Sequence, residues 1–141
     1  MTTLASPPRT VTVPRVAIAD TVAQLAVAAA VALATNVVVL WFATALGVSF
    51  QVITPQPVSA LAVALLTVLP LALGGTAVVL ADRRRPGLHR VVAWAGPGVA
   101  LLSTAGAALA AADAPTALAL SVMHLVVGVA WFAGVHRPAA G

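Results

Sequence analysis

The chain has 141 residues, 62% of them hydrophobic and 7% charged, with a mean hydropathy of +1.10. Seven arginines and three aspartates are too few to cover a core of this size against water, which excludes an ordinary soluble domain. The net charge of +4 does not point to nucleic acid, because most of the arginines cluster in DRRRPGLHR, Asp82 to Arg90, and no basic stripe interleaved with aromatics occurs.

Residues 1–15, MTTLASPPRTVTVPR, are rich in proline and lack a helical period, so they read as a disordered cytoplasmic tail. From Val16 the chain stays apolar to Leu46, broken only by Asp20, Gln24 and Asn36. A bilayer crossing takes about 20 apolar residues, so a first span is expected at 22–46. Its apolar run is about twice the 7 to 15 residues of a signal-peptide core, which argues against cleavage. GVSFQVITPQP, Gly47 to Pro57, is an uncharged and partly extended connection, and Pro57 is expected to open the second helix at its first position.

The second span is expected at 57–80, with a kink near Pro70 and Gly74-Gly75. A cytoplasmic basic loop follows, carrying Arg83, Arg84, Arg85 and Arg90. A third span at 91–112 includes the GPG of Gly96 to Gly98, Asp113 caps a tight turn, and a fourth span fills 116–135. Residues 16–137 thus form one transmembrane domain, an all-α four-helix bundle, and 138–141 a short tail. Four crossings place all seven arginines on one side, so both termini are expected in the cytoplasm of a multi-pass plasma-membrane protein. Trp41, Trp94 and Trp131 fall toward span ends, as interfacial belt residues do.

Polar residues recur at similar depth in the four spans. Asn36, Thr67, Ser103, Thr104 and His124 all lie within about one turn of the expected midplane, which suggests a polar layer crossing the bundle. On the fourth span Ala117, Ser121, His124, Gly128 and Trp131 follow the three-four spacing of one helical face. That small, polar face is expected to pack inward, with His124 hydrogen-bonding to Asn36, Ser103 or Thr104 at about 0.6 kcal/mol. The competing reading is a neutral imidazole that takes a proton or holds a ligand through its free nitrogen.

Several chemistries find no support. The absence of cysteine excludes disulfides, thiolate catalysis and iron–sulfur ligation. Bis-histidine haem needs two facing histidines at one depth, and only His124 falls within a span. His89, His136 and Asp82 do not define a metal site, Asp20 reads as an interfacial anchor beside the arginines, and no cofactor is expected.

The segments ADRRRPGLHRVVAWAGPGVALLST and ALALSVMHLVVGVAWFAGVHR, with His-Leu-Val-Val-Gly at His124 to Gly128, resemble a family of small four-span actinobacterial membrane proteins grouped as a domain of unknown function. The resemblance covers most of the chain from the first span onward. This chain departs from the family pattern around Leu101-Leu102-Ser103, and it has Ala133-Gly134 where the family carries Pro-Gly, which implies a softer break at the end of the fourth span. The resemblance implies membrane location and architecture, and it assigns no catalytic or binding residue.

The expectation from sequence is a non-enzymatic structural or interaction partner in the cell envelope. Its partners would be the lipid bilayer and another copy or another membrane protein, with no nucleic acid. The alternative is an oligomeric small transporter or channel subunit that uses the His124 layer. The embedded carboxylate on which four-span multidrug exporters rely is missing from the centre of every span.

Overall fold

The computed structural model describes residues 15–53, 56–84 and 88–136. Nothing is described of the side chains of residues 15–18, Asp82, His89 and Arg90 within its helices. Four helices make up the fold: α1 (Arg15–Ala45), α2 (Ala60–Arg84), α3 (Leu88–Ala110) and α4 (Ala114–Val135). Each contains a stretch long and apolar enough to cross a membrane, at Ala19–Ala45, Ala60–Ala81, Val91–Ala110 and Ala114–Val135. The surface is apolar as well. Only 11% of the α3 stretch is buried inside the bundle, and Trp41, Leu102 and Leu109 stand on the outside at 79%, 77% and 82% exposure. Lipid is the solvent such a surface suits.

The helix ends follow from local chemistry. Gly47, at φ +85°, closes α1: its N–H donates to the Thr44 carbonyl at 3.0 Å and that of Val48 to the Ala43 carbonyl at 3.0 Å, the paired bonds of a Schellman motif. Pro57 does not open α2. Ser59 caps it instead, its hydroxyl accepting from the Ala62 N–H at 3.2 Å and its carbonyl from the Val63 N–H at 3.0 Å. A hydroxyl cap satisfies an otherwise orphaned donor, which proline at the first position cannot do. Likewise α3 stops at Ala110, short of the expected Ala112, because the next residues leave the helix to pair with the α1–α2 connection. Val52 bridges Ala111 in antiparallel fashion, with Ile53 N–H to the Ala110 carbonyl at 2.9 Å and Ala112 N–H to the Gln51 carbonyl at 3.0 Å. Both α2 and α3 remain helical through Pro70 and Pro97.

Asp113 caps α4 as expected, with extended backbone (φ −143°, ψ 161°) and Oδ1 accepting from the Thr116 N–H at 2.7 Å. Its Oδ2 accepts from the Ser49 hydroxyl at 2.8 Å, so one carboxylate ties the α1–α2 connection to the start of α4. The Thr116 backbone N–H, helped by Ser49, holds the Asp113 carboxyl below its ordinary range, so it stays an ionised acceptor at neutral pH. Phe50 in the same connection is 3% exposed and takes φ +53°, a conformation bulky residues rarely adopt.

The buried residues form two clusters. One gathers Leu25, Ala32, Leu71, Val78, Ala93, Trp131 and Val135 toward the end where α2 finishes in Arg83 and Arg84. The other gathers Leu40, Ala43, Phe50, Val63, Ala119, Leu120 and Met123 under the α1–α2 connection. Tight packing joins α3 to α4, α4 to α1 and α1 to α2, whereas α2 and α3 scarcely touch although they are consecutive. The bundle is therefore open along one side, between α2 and α3.

Candidate functional site

That opening is a groove of about 500 Å³, walled by α2 and α3 and floored by α4. Its lining is overwhelmingly aliphatic, and its polar members are Asn36, Thr67, Ser103, His124 and the indole of Trp131. Four of the five residues expected in a midplane polar layer thus do meet one space. They do not form a continuous layer. Asn36 Nδ2 donates to Thr67 Oγ1 at 2.9 Å and reaches the Met123 carbonyl at 3.4 Å, so a single amide links α1, α2 and α4 between the two apolar clusters. Ser103 and Thr104 instead donate to the Ala100 carbonyl at 3.0 and 2.7 Å, within their own helix.

His124 also departs from expectation. It is half-buried and lines the groove, but its Nδ1 meets the Leu120 carbonyl of its own helix at 2.8 Å rather than bonding across the bundle. A helix that places a donor four residues after a carbonyl can satisfy it internally, and that option is always nearer than another helix. Asn36 has no such freedom, because its short amide points straight at α2.

Trp131 carried two expectations from sequence, membership of the inward face of α4 and a place in the interfacial belt, and only the first holds. It is 7% exposed, not an interfacial belt residue, and its Nε1 donates to the Ala93 carbonyl at 3.3 Å. Gly74 of α2 and Gly96 of α3 face the indole so closely that a Cβ at either would overlap it. Gly74, one of the two glycines expected to bend α2, forms with Gly96 the recess for this ring, whereas Gly75 faces Leu25. Trp131 consequently closes the groove at the arginine end. Trp41 and Trp94 remain outside, at 79% and 61% exposure, and Trp94 packs on Phe132 (5.2 Å between ring centres), which stacks on His136 at 4.7 Å.

Of the expected basic loop, Arg83 and Arg84 are exposed at the end of α2, Arg85 lies outside the described residues, and Arg90 belongs to α3 without a described side chain. Asp20 is exposed near the start of α1. Among the described residues no three or more His, Asp or Glu side chains gather as a metal site would require.

An all-helical fold with an apolar exterior, a side-opening groove and four helices long and apolar enough to cross a membrane is compatible with a multi-pass membrane protein. The chain belongs to DUF6069, a family of unknown function, which matches residues 7–141. No curated protein and no solved structure matches it.

Proposed function

We propose that this chain is a non-enzymatic binding protein of the plasma membrane, a small four-span actinobacterial protein with both termini in the cytoplasm. It takes up one lipophilic molecule from the bilayer through the opening between α2 and α3. The groove carries this reading: its volume of about 500 Å³ falls in the range of small-molecule sites, 300–1,000 Å³, and its aliphatic walls hold a few polar groups at one level. The interaction role in the envelope is then met by a lipid-phase ligand.

The arginines support the orientation. Arg83 and Arg84 stand at the end of the bundle where α1 and α3 begin and α4 finishes, and basic residues flank spans on the cytoplasmic side. The transporter alternative is less well supported, because Ser103, Thr104 and His124 spend hydrogen bonds on carbonyls of their own helices instead of extending the Asn36–Thr67 pair into a path.

Native mass spectrometry of the tagged chain, released gently from its own membrane, tests the proposal. The expected result is one lipophilic molecule per chain that survives exchange of the bulk lipid. A bare monomer, or a homo-oligomer or stoichiometric second protein without such a molecule, would overturn it.

A further inference from the structure

The chemistry of the groove is one-sided. The Leu120 carbonyl only accepts, so His124 Nδ1 carries the hydrogen of their bond. In the neutral imidazole Nε2 is then an acceptor, and no protein donor meets it among the described residues. The orientation of Asn36 is fixed in the same way, since its Nδ2 donates to both Thr67 Oγ1 and the Met123 carbonyl. That leaves Asn36 Oδ1 buried, with no hydrogen-bond partner, in a residue 1% exposed. Ser103 has already given its hydrogen to Ala100 and has lone pairs left. Met123 adjoins His124 on α4, so the unpaired amide oxygen and the free ring nitrogen stand at one level of the groove.

A buried acceptor without a donor is costly in a medium of low dielectric, and it acts on its surroundings even where nothing touches it. Asn36 Oδ1 is fully covered and contributes through its field; His124 Nε2 is the group within reach of a ligand. The only hydrogen among these groups not assigned to a protein acceptor is the hydroxyl hydrogen of Thr67, itself 2% exposed. Aliphatic walls ending in surplus acceptors fit a molecule that is apolar along its length and brings a hydrogen-bond donor. They disfavour one whose polar end is an ether or ketone oxygen.

Resting on the binding reading above, the geometry points to a long-chain or prenyl-type lipophilic alcohol as the ligand class, with its hydroxyl donating to His124 Nε2. The bilayer supplies such molecules by lateral diffusion, and the opening between α2 and α3 admits them without passage through water.

The probes are hexadecan-1-ol and its methyl ether, titrated onto the full chain in lipid nanodiscs. Trp131 fluorescence in a Trp41→Phe, Trp94→Phe background reads the binding, because Trp131 lines the groove. One hydrogen bond to an acceptor in this setting corresponds to about a tenfold preference for the alcohol. His124→Leu is expected to abolish that preference while ether binding stays within about twofold, since only the donor contact is removed. His124→Gln, which retains an acceptor, is expected to restore part of it, a rescue that a merely structural histidine would not give. Thermal melts of both variants verify the fold. Equal binding of alcohol and ether to the wild type, or a preference that survives His124→Leu, overturns the donor rule and leaves lipophile binding intact. Failure of both probes to bind overturns this inference and the proposed function together.

Discussion

Replacing Trp131 with alanine is expected to cost about 3–5 kcal/mol of bundle stability, the range for emptying a well-packed tryptophan site. The indole is 7% exposed, bonds to the Ala93 carbonyl and fills recesses on α2 and α3 at once. No neighbour can collapse into the space: Gly74 and Gly96 have no side chains, and the adjoining groove already separates the two helices. Unfolding in mixed micelles measures the loss. The same geometry predicts coupling. Gly96→Ala alone forces the ring toward Gly74 and is expected to cost about 1–3 kcal/mol, as overpacked cores do. In a Trp131→Leu background the added methyl has room, so the two changes should be non-additive. Gly98 is the control. A Cβ there meets nothing within 4 Å, and Gly98→Ala is expected to be neutral or to stabilise α3 by about 0.5–1 kcal/mol.

The second large effect lies at the interface of α3 and α4. A Cβ on Gly128 would stand 2.7 Å from the Ala100 Cβ, so the backbones there are as close as two small residues permit. Gly128→Leu inserts four carbons into that contact. Locally α4 cannot yield, because Met123 and Trp131, on either side of Gly128 along the helix, anchor it to both apolar clusters. The expected outcome is separation of α3 from α4 and loss of more than the 1–3 kcal/mol of ordinary overpacking. A cysteine pair at Ala100 and position 128 crosslinks efficiently if this approach is right, and the chain has no other cysteine to interfere.

Hydropathy made the four helices legible, because apolar stretches of this length have few other uses. Asp113 was legible as a cap, since a short acid before Ala-Pro-Thr has one favourable role there. The inward face of α4 was legible too: Gly128 and Trp131 are buried, while Leu118 and Val129 are 68% and 69% exposed. The errors share a cause. Gly74 carried a backbone meaning in isolation, and it and Gly96 acquired a packing meaning only beside Trp131, which comes 57 and 35 positions later in the chain. Likewise the depth of His124, Ser103 and Thr104 was readable, but whether each donates along its helix or across the bundle depends on rotamers that a one-dimensional pattern does not carry. The groove itself was invisible because consecutive helices are normally assumed to pack together, whereas α2 and α3 scarcely touch.

The proposed uptake of a ligand from lipid rests on a four-crossing bundle, whose arginine end we propose to lie in the cytoplasm. Single cysteines at Gln51, in the α1–α2 connection, and at Arg84, at the end of α2, are both exposed positions in a chain that has no cysteine of its own. Labelling intact cells with a membrane-impermeant maleimide is expected to modify Gln51→Cys at once and Arg84→Cys only after the membrane is opened. Equal labelling of the two, or labelling of Arg84→Cys alone, would contradict the account.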